Sequence, residues 1–122
     1  VTLEREFSPE EKEIAFDAQQ EAEEHEALIE DLRKILHEDW GRRYLWRLLS
    51  FCRVMDRSMD RDSHVMAFRE GQRDIGMRLM KDIDEAEINA YNTMRMEHYN
   101  AEKERAAARD KMRKKFYEEA EQ

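Results

Sequence analysis

Helix-ending residues are scarce in this chain of 122 residues, which has one proline and three glycines. A β-sandwich or barrel needs a turn-former every few residues and is excluded, as are collagen-like, mucin-like and proline-rich architectures. The single cysteine, Cys52, excludes an internal disulfide framework and any zinc site built from several thiolates. No apolar run approaches the roughly 20 residues of a membrane span. The opening residues hold no signal-peptide core, so export by an ordinary signal is not expected. What is abundant is charge, at 43% of residues against 40% hydrophobic, with a mean hydropathy of -1.05. Such a balance fits a soluble, helix-rich chain with much exposed surface better than one with a thick globular core.

The net charge of -8 is unevenly spread. Residues 1–40 carry 14 acidic and 4 basic side chains, a net of -10; residues 41–81 carry 5 acidic and 10 basic, a net of +5; residues 82–122 carry 11 acidic and 8 basic, a net of -3. Segregation of this kind favours contact with complementary surfaces, including those of further copies of the same chain.

Helix punctuation is readable from the start. Ser8-Pro9-Glu10-Glu11 supplies a hydroxyl cap, a proline at the first helical position and a glutamate at the third. The helix it opens runs to about His37, with a thin apolar stripe at Ile14, Ala18 and Ala22 and a denser one at Leu28, Leu32, Ile35 and Leu36. Asp39 is the expected cap of a second helix ending near Cys52, on which Tyr44, Leu45, Leu48, Leu49 and Cys52 recur at helical spacing beside Trp40 and Trp46. Arg53 to Asp62 reads as a polar loop. Ser63 is the expected cap of a third helix with an apolar face of Val65, Phe68, Ile75, Leu79 and Ile83, interrupted by Gly71 and Gly76. Nothing after Ser63 forces a stop, so this helix is expected to continue to about Glu119, ~80 Å in all. Along its tail Tyr91, Met94, His98, Ala101, Arg105, Ala108 and Met112 make a loose heptad pattern, too polar for an autonomous coiled coil.

Catalytic and metal signatures are missing. The residues three before His25, His37, His64 and His98 are Ala22, Lys34, Arg61 and Arg95, so the Glu-x-x-His motif of carboxylate-bridged metal bundles does not occur. Glu21 and His25 could bind a metal adventitiously, and no cofactor is expected. Cys52 lies on an apolar stripe with no histidine near in sequence to activate it, the position of a small buried hydrophobe. Three scattered glycines cannot form a phosphate loop. The chain is expected not to be an enzyme. The basic middle holds nine arginines against one lysine, which favours planar contacts to carboxylate or phosphate. Acidic flanks repel DNA, so carboxylates of this protein or of a neighbour are the favoured acceptors, with DNA contact secondary.

The block Gly41-Arg42-Arg43-Tyr44-Leu45-Trp46-Arg47-Leu48-Leu49, with Asp31-Leu32-Arg33 before it and Phe68-Arg69-Glu70-Gly71-Gln72-Arg73-Asp74-Ile75-Gly76 after it, resembles a small tailed-phage family, the Bbp-nineteen-like phage domain, over roughly residues 29–85. The resemblance implies a role in phage morphogenesis, since such genes sit among the late genes of short-tailed phages, but supplies no biochemical activity.

Together these readings give an all-α fold with an acidic helical arm over 1–28, a helical hairpin core over 29–86 and a charged helical tail over 87–122. The expected core is Leu45, Trp46, Leu48, Leu49, Phe68, Gly71, Ile75, Gly76 and Leu79, with Gly41 allowing a tight turn into the second helix. Arg42, Arg43, Arg47, Arg69 and Arg73 are the expected partner-binding residues. The expected protein is a virion component made in the host cytoplasm, a homo-oligomer at the portal or head-to-tail vertex or an internal protein ejected with the genome, contacting portal, tail or ejection proteins. The alternative is a DNA-associated accessory or regulatory protein.

Overall fold

The computed structural model describes residues 6–121. They form four helices, α1 (Pro9–Leu36), α2 (Asp39–Phe51), α3 (Ser63–Ala86) and α4 (Ala90–Ala120), and no strand occurs among the described residues. The fold is all-α.

The helix starts follow local chemistry. Ser8 caps α1, its hydroxyl oxygen accepting from the Glu11 N–H at 3.2 Å, with Pro9 at the first helical position. The cap of α3 is Asp62 rather than Ser63: its carboxylate accepts from the His64 and Val65 N–H groups at 2.8 and 3.4 Å, and Ser63 becomes the first helical residue. Likewise the cap of α2 is Glu38, and Asp39 sits one position inside, where its carboxylate accepts from the Trp40 N–H at 2.7 Å. An acid there complements the helix dipole as a cap would.

The expected uninterrupted helix from Ser63 to Glu119 is broken at residues 87–89. Glu87 is extended (φ -157°, ψ 115°), and α4 starts afresh at Ala90. No glycine or proline marks the break; packing makes it. On either side, Ile83 and Ala86 of α3 and Ala90 and Met94 of α4 are buried in the same core, which a straight helix would carry past it. Arg33 of α1 holds the new terminus, its Nε–H donating to the Ala86 carbonyl at 2.9 Å.

That core comprises Ile29, Leu32 and Leu36 from α1, Leu45 and Leu49 from α2, Cys52 and Val54 after it, and the four residues flanking the break. Ile83 and Met94 are the most deeply enclosed, and no polar or charged side chain is buried among the described residues. The expected α2–α3 hairpin core is therefore corrected to one shared by four helices. Leu45, Leu49 and Gly76 are buried, and Trp46, Leu48 and Leu79 pack half-buried at its edge. Phe68 and Ile75 are instead 69% and 64% exposed, and Gly71 faces open space. The inward stripe of α3 is Gly76, Leu79, Met80, Ile83 and Ala86, displaced around the helix from Phe68, Gly71 and Ile75. Beside the first turns of α3 lies the polar loop: Arg69 pairs with Asp60 at 3.2 Å, and the Ser58 hydroxyl donates to the Glu70 carboxylate. This part of the loop leaves Phe68 uncovered.

Two glycines are sites of close approach. A Cβ on Gly41 would lie 2.1 Å from the Ile35 carbonyl oxygen, so α2 meets the end of α1 at backbone distance. The residue sits within the helix and no glycine has positive φ among the described residues, so its role is closeness, not the expected tight turn. A Cβ on Gly76 would meet Val54 Cγ2 at 2.3 Å and Cys52 Cβ at 2.7 Å.

These environments set opposite outcomes for equivalent substitutions. Gly71→Ala adds a helix-favouring methyl in open space and should stabilise by ~0.5–1 kcal/mol. Gly41→Ala should destabilise by about 2 kcal/mol or more, since backbone must yield. Ile83→Ala should cost ~2–5 kcal/mol, and Phe68→Ala less than ~0.5 kcal/mol. Urea denaturation of the four variants measures all of these; a Phe68→Ala cost equal to that of Ile83→Ala would contradict the core described here.

Candidate interaction surface

The five arginines singled out by sequence separate into two groups. Arg42, whose side chain is only 20% exposed, donates from Nε to both Glu97 carboxylate oxygens, at 2.9 and 3.0 Å, and from a terminal nitrogen to the Leu36 carbonyl at 2.8 Å. It joins the end of α1, the start of α2 and the first third of α4. Glu97 pushes the Arg42 pKa further up, so the pair stays ionised. Arg69 is held by Asp60, and Arg73 donates to the Val54 carbonyl at 3.3 Å. Beside Arg73, Gln72 donates to the Phe51 carbonyl at 2.9 Å. These are internal ties between α3 and the segment preceding it.

Arg43 and Arg47 point elsewhere. Arg43 makes an exposed pair with Asp39 one turn earlier, at 3.1 Å, and Arg47 has no hydrogen-bond or ion-pair partner among the described residues. The Arg43 hydrogen bond, with that from the Trp40 N–H, holds the Asp39 carboxyl below its ordinary value. Both arginines border a groove of about 640 Å³ between α2 and α4. Trp46, Met94 and Ala101 supply its apolar lining, and Asp39, Glu97, His98 and Arg105 complete it. The Trp46 ring is fixed between Tyr91 and His98, with centroids 5.5 and 5.2 Å away. Arg105, also without a partner among the described residues, is the member that sequence reasoning missed. Its signal was the heptad pattern, which placed an arginine where Tyr91, Met94 and Ala101 face inward.

His25 lies against α3 rather than Glu21: its Nε2 is 3.0 Å from Glu85, and ligand-type atoms of His25, Asp82 and Glu85 all lie within 4.8 Å of one another. These are the residues that could hold a metal; as they stand, His25 and Glu85 form a half-exposed hydrogen-bond contact between α1 and α3. Cys52 is buried beneath Gly76, where its thiol packs as a small apolar group. No helix among the described residues is long and apolar enough to cross a membrane.

A family model described as Bbp19-like phage protein matches residues 29–95, more than half of the chain. Those limits enclose the core from its first residue, Ile29, to its last, Met94, so all eleven buried apolar residues fall inside the match. Ala90 and Met94, placed by sequence in the tail over 87–122, belong to this body. No curated protein and no solved structure matches the chain.

The Arg42–Glu97 tie should contribute measurably to stability. Glu97→Ala leaves a largely covered guanidinium short of its main acceptor and should cost about 1–3 kcal/mol, with Glu97→Gln costing less. Asp39 gives the acid limb: a carboxyl lowered on folding contributes above its ordinary pKa and loses that contribution as pH falls through the lowered value. Melting curves of wild type and Asp39→Asn should therefore converge in acid and separate towards neutrality.

Proposed function

The chain belongs to the Bbp19-like phage proteins, and on that premise we propose that it is a non-enzymatic structural component of the phage particle. It is present in several copies, at the portal or head-to-tail vertex or inside the particle as a protein that accompanies genome delivery. The observation that carries this reading is the pair of long helices extending from the family body. From Pro9 to Leu28, α1 buries nothing, and Ile14, Phe16 and Leu28 stand exposed along it. Beyond Ala101, α4 likewise exposes Met112, Phe116 and Tyr117. Long, largely exposed helices are marginal in water and are stabilised by packing against a partner. A body of residues 29–95 with two such extensions suits a protein whose contacts are completed by assembly.

Arg47 and Arg105, open at one groove, favour a second reading, a DNA-associated accessory protein of the phage. Quantitative mass spectrometry of gradient-purified particles separates the two. The structural reading expects the protein at a fixed ratio to the other particle proteins, surviving nuclease treatment. Abundance in infected cells with absence from particles would favour the accessory reading.

A further inference from the structure

We infer that the groove between α2 and α4 is the seat for the acidic arm, residues 9–28, of a second copy of this chain. The inference rests on the multi-copy reading above and names the contact that would make the copies assemble.

The groove and the arm match in charge and in apolar pattern. Within the groove, Arg42 and Arg43 are already paired with Glu97 and Asp39, which leaves Arg47 and Arg105 as unneutralised cations over an apolar lining that includes Trp46 and Met94. In the arm, eight carboxylates stand against one lysine, Lys12. Its stripe of Ile14, Ala18 and Ala22 continues the line of Ile29, Leu32 and Leu36 but extends past the body, so Ile14 is 69% exposed. Asp17, Glu21 and Glu24 run in a row beside that stripe at helical spacing. A helix laid in the groove would put small and aliphatic residues on Trp46 and carboxylates against Arg47 and Arg105. DNA satisfies the arginines but brings nothing for the apolar lining.

The occupant must come from another copy. The groove begins where α1 ends, because Arg42 at its edge binds the Leu36 carbonyl. Since α1 is one unbroken helix from Pro9 to Leu36, Ile14 lies ~33 Å along the axis from Leu36, on the far side of the anchored turns. It cannot return to its own groove without breaking the helix. An arm-to-groove contact is also head-to-tail, so it propagates from copy to copy and closes into a ring if the rotation per step allows.

The test uses the full chain and two variants that alter exposed side chains, Arg47→Glu with Arg105→Glu in the groove, and Asp17→Arg with Glu21→Arg and Glu24→Arg in the arm. Circular dichroism confirms that each stays folded, and analytical ultracentrifugation reads association. Wild type should self-associate, more weakly as salt rises. Each variant alone should dissociate about tenfold or more readily. Mixing the two should restore association, because the basic arm of one fits the acidic groove of the other and the unaltered arm and groove remain matched. Ile14→Asp, which changes the arm's apolar stripe, should weaken association in the same way. Association that persists in the single variants, or fails to return on mixing, overturns the groove as the seat while leaving the multi-copy reading standing. A wild type that stays monomeric at all concentrations overturns the self-contact, and particle stoichiometry then judges the multi-copy reading by itself. Loss of duplex DNA binding in the groove variant with association unchanged assigns the groove to phosphate and overturns the inference.

Discussion

Where α2 crosses the end of α1, the Ile35 carbonyl oxygen occupies space that any Cβ at position 41 would need. The next residue, Arg42, then reaches the Leu36 carbonyl on one side and Glu97 on the other. Consecutive residues thus do complementary work: glycine permits the approach, and arginine satisfies a carbonyl that the end of α1 leaves without an intrahelical partner. The placement of α4 follows, since Glu97 is fixed by the guanidinium and Met94, one turn earlier, enters the core. With α2 held further from α1, Leu45 and Leu49 could not share a core with Leu32 and Leu36, and the groove beside Trp46 would lose its geometry.

Stability is therefore concentrated in residues 29–95, and the rest of the helical length depends on it. Eleven buried apolar residues make a small core, of the size at which a domain is marginal without further support. Arg33 on the Ala86 carbonyl and Arg73 on the Val54 carbonyl provide such support, fastening chain segments where helices end. The outer part of α1 is sustained by its Ser8 cap, its helix-favouring composition and the nucleus supplied by its anchored end. Extending an existing helix is far easier than nucleating one, which is how an arm with no packing of its own remains helical from Pro9.

Much of this was legible in the sequence, and what was not has identifiable causes. The Ser8-Pro9 start, the break before α2 and the polar loop before α3 are written in local chemistry, because caps and helix-poor residues act over three or four positions. The interruption at residues 87–89 is not: no residue there forbids a helix, and only the shared burial of Ile83, Ala86, Ala90 and Met94 stops one. On α3 two apolar lines lie side by side, Phe68 with Ile75 and Gly76 with Leu79 and Ile83. Periodicity reports both without saying which one faces inward. That Arg42 and Arg73 tie the chain to itself is hidden for a related reason: composition shows that guanidinium groups are plentiful, but carbonyl acceptors such as those of Leu36 and Val54 are identical in every sequence and are revealed only by the fold.

The charge segregation acquires its meaning from helix rigidity. In a flexible chain, the net of -10 over residues 1–40 and of +5 over residues 41–81 would collapse upon each other. Here the carboxylates that meet the arginines of the middle segment are Asp39, Asp56, Asp60, Asp74 and Glu97, all outside the arm. The arm is carried away from the body by an uninterrupted α1, and its charge stays apart from the basic surface of its own chain. Individual exposed ion pairs contribute only ~0–1 kcal/mol, so segregation matters where many such pairs act together on a shared apolar contact. The fold converts a pattern spread along the sequence into two separate surfaces on one molecule, one acidic and projecting, one basic and recessed.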